Sequence, residues 1–179
     1  MSIALDHQNN LTAEAKTATT MTISHFNLLV PRAQFSCLLA FYTKLLAPLS
    51  YQVDIGPIAS MNNITGFAPL TSPNTPPHTN RKSYVPGTPT NNDPSAPARG
   101  FPDFWLKASD AYTPTHIAFD APTHEAVREF YMAGIEAGGR GNGEPGVREE
   151  MSRQPYYAAF VVDEVGNNIE AVCLSGGEE

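Results

Sequence analysis

The pattern of apolar and polar residues occurs twice along the chain, and each copy predicts a strand, a proline turn, a helix and a helix-breaking residue. The first copy begins in HFNLLVP at His25, and the second begins in HIAFDAP at His116, 91 residues later. In both copies a proline follows the histidine by six residues, and a helical segment with a Phe-Tyr pair follows the proline. Such a repeat predicts the architecture of the whole chain, because each copy is one supersecondary unit.

The second copy predicts its elements in the order β-α-(β)-β-β. Alternation favours a strand over residues 115–119, and apolar positions at helical spacing favour a helix over residues 123–137. The stretch GGRGNGEPG, residues 138–146, indicates a loop whose glycines supply turns with positive φ. Apolar runs then predict strands over residues 156–162 and 169–174, with a tight turn between them.

The first copy predicts the same elements around an interruption. The strands are predicted over residues 23–30, 51–55, 63–68 and 102–108, and the helix over residues 35–46. Residues 71–100 are dense in Pro, Asn, Ser and Thr and have little to bury. We therefore expect a long loop or a partly disordered insertion there.

The repeat predicts the α+β class, with two βαβββ modules that pair into a cup-shaped, partly closed mixed sheet with helices outside. Because neither module closes a sheet alone, we expect the two half-sheets to meet edge to edge. Residues 1–20 are predicted to be a disordered N-terminal tail. Residues 21–176 are predicted to be a single domain, in which module one is 21–109 and module two is 113–174.

Composition and charge narrow the possible partners. The 179 residues carry a net charge of -7, and their basic residues are scattered, which disfavours nucleic acid and anionic membrane surfaces. No apolar run approaches the roughly 20 residues of a spanning helix, and the N-terminus lacks a signal-peptide pattern. Two cysteines give no disulfide framework, so we expect a reducing, cytoplasmic compartment.

Three residues could carry metal chemistry. Glu170 interrupts the last apolar strand, where a carboxylate is costly unless it is paired or bound to a metal. His25 and His116 hold matching positions in the two copies, and two histidines with one carboxylate offer a divalent metal three facial ligands. Other interpretations stay open: each histidine could bond only to backbone, and Glu170 could face solvent or pair with Arg148 or Arg153.

A substrate pocket is predicted from one group of side chains, although the aromatic ones could equally be ordinary core: Trp105, Phe104, Tyr156, Tyr157 and Arg153. The stretch GGRGNGEPG lacks the spacing of a phosphate-binding P-loop. No Ser-His-Asp or Cys-His arrangement is legible, and no general base can be assigned.

The motifs PTHIAFDAP, YYAAFVVD and above all GNNIEAV resemble those of the vicinal oxygen chelate superfamily. That group includes glyoxalase I, the fosfomycin- and bleomycin-resistance proteins and the extradiol dioxygenases. The resemblance is strongest over residues 113–174 and looser over the first copy. It implies a metal at the bottom of the cup, with His25, His116 and Glu170 as ligands. Trp105 stands where a fourth ligand would be, so the set is similar to the three-ligand branches.

The resemblance implies a metal-dependent enzyme that acts on a small oxygen-rich metabolite, as an isomerase, lyase or dioxygenase. The expected cofactor is a divalent ion, Fe, Mn or Zn, and the expected partners are a small-molecule substrate and, in a homodimer, a second copy of the chain. The alternative is a metal-free binding or sequestration protein of the bleomycin-resistance type. A scaffold role for residues 71–100 is a third interpretation.

Overall fold

The structure is a computed structural model that describes residues 23, 25–69, 102–151 and 155–175. The predictions of a disordered tail over residues 1–20 and of an insertion over residues 71–100 lie outside the described residues. So does Arg153, which was predicted to line the substrate pocket.

Module one forms a four-stranded sheet with one long helix. Its elements are β1 (Phe26–Pro31), α1 (Phe35–Leu45), β2 (Tyr51–Ile58), β3 (Ile64–Pro69) and β4 (Phe104–Ser109). The strands lie in the order β1-β4-β3-β2, with β1 parallel to β4 and the other pairs antiparallel. Each predicted element of this module is present.

Module two has the same topology. Its elements are β5 (His116–Asp120), α2 (His124–Glu136), β6 (Arg140–Val147), β7 (Tyr157–Val162) and β8 (Asn168–Cys173). The order is β5-β8-β7-β6, again with the first and last strands of the module parallel. The α+β class, built from two βαβββ modules, is therefore confirmed.

Each helix forms because its apolar residues recur at helical spacing, and a side-chain cap adds to this in α2. In α2 the Thr123 side chain accepts a hydrogen bond from the Ala126 N–H at 3.1 Å, and Glu125 lies in the first turn. Val127 and Phe130 are fully buried on the inner face. The long helix of module one buries a similar stripe: Phe35, Leu38, Phe41, Tyr42 and Leu45.

One hydrophobic core joins the two modules. Phe104 of β4 and Phe119 of β5 meet edge to face, with ring centroids 5.3 Å apart. Leu45 of α1 packs against Gly134 of α2, where an added Cβ would lie 2.8 Å from the leucine side chain. Within the described ranges no ladder connects the two sheets. The edge strands are β1 and β2 in one sheet and β5 and β6 in the other. The modules therefore meet through packed side chains, and among the residues that the structure describes the half-sheets do not pair edge to edge as expected.

The glycine-rich stretch is a strand, so the prediction of a loop over residues 138–146 is wrong. Only Gly138 in this stretch has positive φ, and β6 begins at Arg140. The glycines serve close packing: a Cβ on Gly143 would lie 2.7 Å from Cδ2 of Phe160, and one on Gly141 would collide with Tyr131. A strand of this composition is tolerated at the sheet edge, where Pro145 needs no ladder partner.

In the part of the chain that the structure describes, neither helix has the length and hydropathy needed to cross a bilayer.

Candidate functional site

The two faces of each sheet differ. In β8, Ile169, Ala171 and Cys173 point into the core, so the alternate residue Glu170 points to the opposite face. We call this the open face, defined in module two by His116, Glu170 and Phe160, and in module one by Asn27, Leu29 and Trp105. These residues are brought together in each module by cross-strand register.

Glu170 is a buried carboxylate with two partners. Its side chain is only 3% exposed. The Oε2 atom lies 3.0 Å from Nε2 of His116, and Oε1 accepts a hydrogen bond from the Tyr156 hydroxyl at 2.6 Å. The alternative that Glu170 faces solvent is therefore wrong, and the cost of burying the carboxylate is offset by these bonds.

The two partners of Glu170 have different environments. The His116 side chain is 51% exposed, so the pair is reached from solvent on the histidine side. The pKa of Tyr156 is raised to about 12, mainly by desolvation and to a smaller extent by the hydrogen bond to the Glu170 carboxylate. The phenol therefore keeps its proton at neutral pH and acts as a hydrogen-bond donor.

Two asparagine side chains extend this network beyond His116. Asn168 lies beside His116 in the parallel ladder, and its Nδ2 is 2.7 Å from Nδ1 of the imidazole. The Asn142 amide donates to Oδ1 of Asn168 at 3.1 Å. Sequence reasoning missed both, because it assigned Asn168 to a turn and Asn142 to a loop. The Asn-Asn doublet just before Ile169 was the available signal.

Phe160 and Arg148 form the floor beside Glu170. Phe160 is the cross-strand partner of Glu170, and the Arg148 guanidinium lies over its ring, 5.4 Å from the centroid. The His116 ring is 6.2 Å from the Phe160 centroid and inclined by 28° to it. The open face here combines an aromatic surface, one positive charge and a hydrogen-bonded carboxylate.

A second buried network fixes the backbone that precedes His116. The Thr115 N–H donates to Oδ1 of Asn167 at 3.0 Å, and the Thr115 carbonyl accepts from the Asn168 N–H at 2.9 Å. Asn167 in turn donates from Nδ2 to Asp163 at 2.7 Å, and the Tyr42 hydroxyl of α1 donates to the same oxygen at 2.8 Å. The position of His116 is thus tied to module one.

The predicted pocket residues lie in different places. Trp105 is half-buried on the open face of module one, stacked against Gly66, with Nε1 donating to the Pro102 carbonyl at 3.2 Å. Phe104 lies on the other face of β4, within the core. Tyr157 packs against the core and stacks on His124, with centroids 3.9 Å apart. Tyr156 alone among the pocket tyrosines contacts Glu170.

His25 and Trp105 are the counterparts in module one of His116 and Glu170. Asn27, two residues after His25, pairs with Trp105, just as Ala118, two residues after His116, pairs with Glu170. His25 is exposed, one residue before β1. The register therefore places tryptophan at the fourth position that the repeat defines, and tryptophan offers a metal no ligand atom.

The His116–Glu170 pair fits one edge of a metal coordination shell. Two ligands about 2.1 Å from a shared ion lie about 3.0 Å apart in octahedral geometry and about 3.4 Å apart in tetrahedral geometry. The Nε2–Oε2 distance is 3.0 Å. Among the residues that the structure describes, no group of three or more His, Cys, Asp and Glu side chains could hold a metal. One chain as described therefore presents two of the three predicted donors together.

The fold is that of solved structures in the glyoxalase/bleomycin resistance group. A glyoxalase/bleomycin resistance protein from Albidiferax ferrireducens T118 is similar with a TM-score of 0.55 and 19% identity, over 84% of this chain and 97% of that one. A glyoxalase/bleomycin resistance protein/dioxygenase family enzyme from Burkholderia phytofirmans PsJN is similar with a TM-score of 0.50 and 15% identity, over 87% and 100%. An integron cassette protein from the Halifax Harbour sewage outfall metagenome is similar with a TM-score of 0.50 and 15% identity, over 86% of this chain and 98% of that one.

No family model and no curated protein matches the chain. The resemblance to the vicinal oxygen chelate superfamily is confirmed at the level of the fold.

Proposed function

We propose that the protein binds a small, oxygen-rich metabolite on the open face of module two, with a divalent cation held by His116, Glu170 and His25. The observation that carries the proposal is the buried Glu170 carboxylate 3.0 Å from the half-exposed imidazole of His116. A buried carboxylate beside a half-exposed imidazole offers a divalent cation two adjacent ligands, and the cation would itself offset the cost of burying the carboxylate.

A divalent cation at this site would act as a Lewis acid on vicinal oxygen atoms of the metabolite. Isomerase, lyase and dioxygenase reactions are all compatible with this ligand set. The chain's own residues have definite tasks around it. Tyr156 donates a hydrogen bond to Glu170 and so holds the carboxylate in place. Phe160 offers an apolar surface for the metabolite, and Arg148 adds a positive charge that attracts anionic substituents.

The third ligand is proposed to come from a second copy of the chain. One chain as described brings together no three suitable donors, while His25 is exposed next to an exposed apolar edge. Leu29 of β1, which lies on the open face, is 38% exposed. A homodimer in which the open face of module one in one chain covers that of module two in the other would bury this side chain and complete both sites.

The proposal is tested by metal content and metal affinity. Purified protein is expected to bind one Mn²⁺ or Zn²⁺ per chain in equilibrium dialysis. His116→Ala, Glu170→Ala and His25→Ala should each weaken binding about 100-fold or more, because each removes a ligand. His124→Ala is the matched control, since this histidine of module two stacks on Tyr157 away from Glu170. Wild-type protein that binds no divalent cation would refute the proposal.

The alternative is a metal-free protein that binds and sequesters an aromatic metabolite. The observation that favours it is the Phe160 ring, flanked by Arg148 and His116 and ready to stack on a planar ligand. Ligand binding that survives chelator treatment and Glu170→Gln, but is lost in Phe160→Ala, would establish this alternative.

We also propose a reducing, cytoplasmic location. Both Cys37, which is exposed, and Cys173, which is buried, are free thiols. An exposed free thiol suits a compartment in which glutathione keeps cysteines reduced. Secretion of the native protein from its host would contradict this location.

A further inference from the structure

The imidazole of His116 lies between two hydrogen-bonded asparagine side chains and the Glu170 carboxylate. Its hydrogen bonds define its tautomer. Asn142 donates to Oδ1 of Asn168, so Asn168 presents its Nδ2 to Nδ1 of His116 at 2.7 Å. An amide nitrogen donates and does not accept, so Nδ1 carries no proton. The neutral ring then has its proton on Nε2, which donates to Glu170 at 3.0 Å.

A cation between His116 and Glu170 requires the other tautomer. Metal binding uses the lone pair of Nε2, so the ring proton must be on Nδ1. Nδ1–H then needs an acceptor, and Asn168 supplies one if its amide turns over and presents Oδ1. The turned Asn168 points Nδ2 at Asn142, which must turn over as well to present its own Oδ1.

Both amides lie where they can turn over without opening the core. Asn142 is exposed, and the contacts of Asn168 with Asn142 and His116 lie at the surface. The register explains why Asn142 reaches this place. Gly141 pairs with Val161, while Gly143 pairs with Phe160, so one extra residue of β6 is inserted at Asn142. A β-bulge of this kind redirects a side chain.

We propose that Asn142 and Asn168 form a two-amide switch that selects the imidazole tautomer of His116. One orientation of the pair fits the cation-free site, and the reversed orientation fits the cation-bound site. The second half of this statement rests on the proposed function, whereas the first half rests on the hydrogen bonds alone. Both asparagines are positioning residues, since they act on the cation through His116.

The switch is tested by substituting Asn142, the asparagine farther from His116, and measuring the tautomer of the His116 imidazole. In Asn142→Asp the new carboxylate only accepts, so Asn168 must donate outward and turn Oδ1 toward His116. The ratio of Nδ1–H to Nε2–H tautomer, measured from imidazole ¹⁵N chemical shifts in metal-free protein with the ring neutral, is expected to rise about tenfold. Asn168→Asp should raise it further, because the acceptor then contacts Nδ1 directly. The His116 signals are assigned by their loss in His116→Gln.

Asn142→Asp in an Asn168→Ala background separates the effect of the amide switch from the through-space effect of the added negative charge. Without the Asn168 amide the tautomer ratio should no longer respond to residue 142, whereas a through-space effect of the added charge would persist. A wild-type ring with its proton on Nδ1, or an undiminished response in the Asn168→Ala background, would overturn the inference.

Metal titration of the same variants tests the cation half. Asn142→Asp should bind Mn²⁺ about tenfold more tightly than wild type, and Asn142→Asp with Asn168→Ala should lose that gain. A tautomer shift without any cation binding would refute the proposed function and leave the switch standing. Cation binding without a tautomer shift would refute the switch and leave the proposed function standing.

Discussion

The Asp163 carboxylate joins the two modules, and its removal should be among the most destabilising single changes in the chain. It is 5% exposed and accepts four hydrogen bonds, from the Tyr42 hydroxyl, the Asn167 side chain, and the backbone N–H groups of Asn167 and Val165. Asp163→Ala leaves the first two donors without partners, and both Tyr42 and Asn167 are fully buried.

The expected cost follows from those two orphaned groups. A buried donor left unsatisfied costs about 1–3 kcal/mol, so Asp163→Ala should lower the free energy of unfolding by about 3–5 kcal/mol. Tyr42→Phe removes one bond and leaves Asp163 with three donors, so its cost should be about 2 kcal/mol. Tyr51→Phe is the matched control, because it removes a Tyr–Asp bond of 3.0 Å in a half-buried position and should cost about 1 kcal/mol or less.

The assay is urea unfolding at pH 7, followed by far-ultraviolet circular dichroism, with the m-value fitted for each variant. An unchanged m-value shows that the same surface is exposed in each case. An Asp163→Ala variant within about 1 kcal/mol of wild type, or a Tyr42→Phe variant no less stable than Tyr51→Phe, would refute this reasoning.

Two further predictions concern the packing of β6 and a half-buried carboxyl group. Gly143→Ala should destabilise the protein by about 1–3 kcal/mol, because the new Cβ meets Phe160 at 2.7 Å; Gly146→Ala, whose Cβ would meet nothing nearer than 3.7 Å, should unfold within about 2 °C of wild type. Burial raises the pKa of Asp103 above its ordinary value, so the folded state binds more protons than the unfolded state just above about pH 3.9, and stability falls as the pH rises through this window. Asp103→Asn should therefore gain stability relative to wild type between pH 3 and pH 7 in urea titrations, and a constant difference would show that this carboxyl group does not titrate as described.

The topology could be predicted from the sequence because the repeat fixes the order and type of most elements. His25-to-Pro31 and His116-to-Pro122 mark equivalent strands, and the structure confirms the two βαβββ modules. The strand β6 was not predictable by the same means. Its glycines and proline are typical of a loop, and only its packing against Tyr131 and Phe160 shows why side chains are absent there.

The candidate site was predictable in part. Glu170 stands out as a charge in an apolar strand, and its contact with His116 follows from the parallel pairing of β5 and β8. The roles of Asn168 and Phe160 depend on register and on the bulge in β6, which a single sequence does not show. Phe104 and Trp105 are neighbours in one strand and therefore point to opposite faces of the sheet, so a pocket that groups both of them disregards this alternation.

The metal-binding capacity of mixed chains tests the central claim most directly, because that claim places ligands from two copies in one site. His25→Ala and Glu170→Ala chains are each purified, mixed in equal amounts, unfolded, refolded together and dialysed against Mn²⁺. If His25 of one chain joins His116 and Glu170 of its partner, half of the dimers are mixed and each carries one intact site, so the mixture should recover about one quarter of the wild-type capacity. A mixture that binds no more Mn²⁺ than the two variants measured separately would contradict the account.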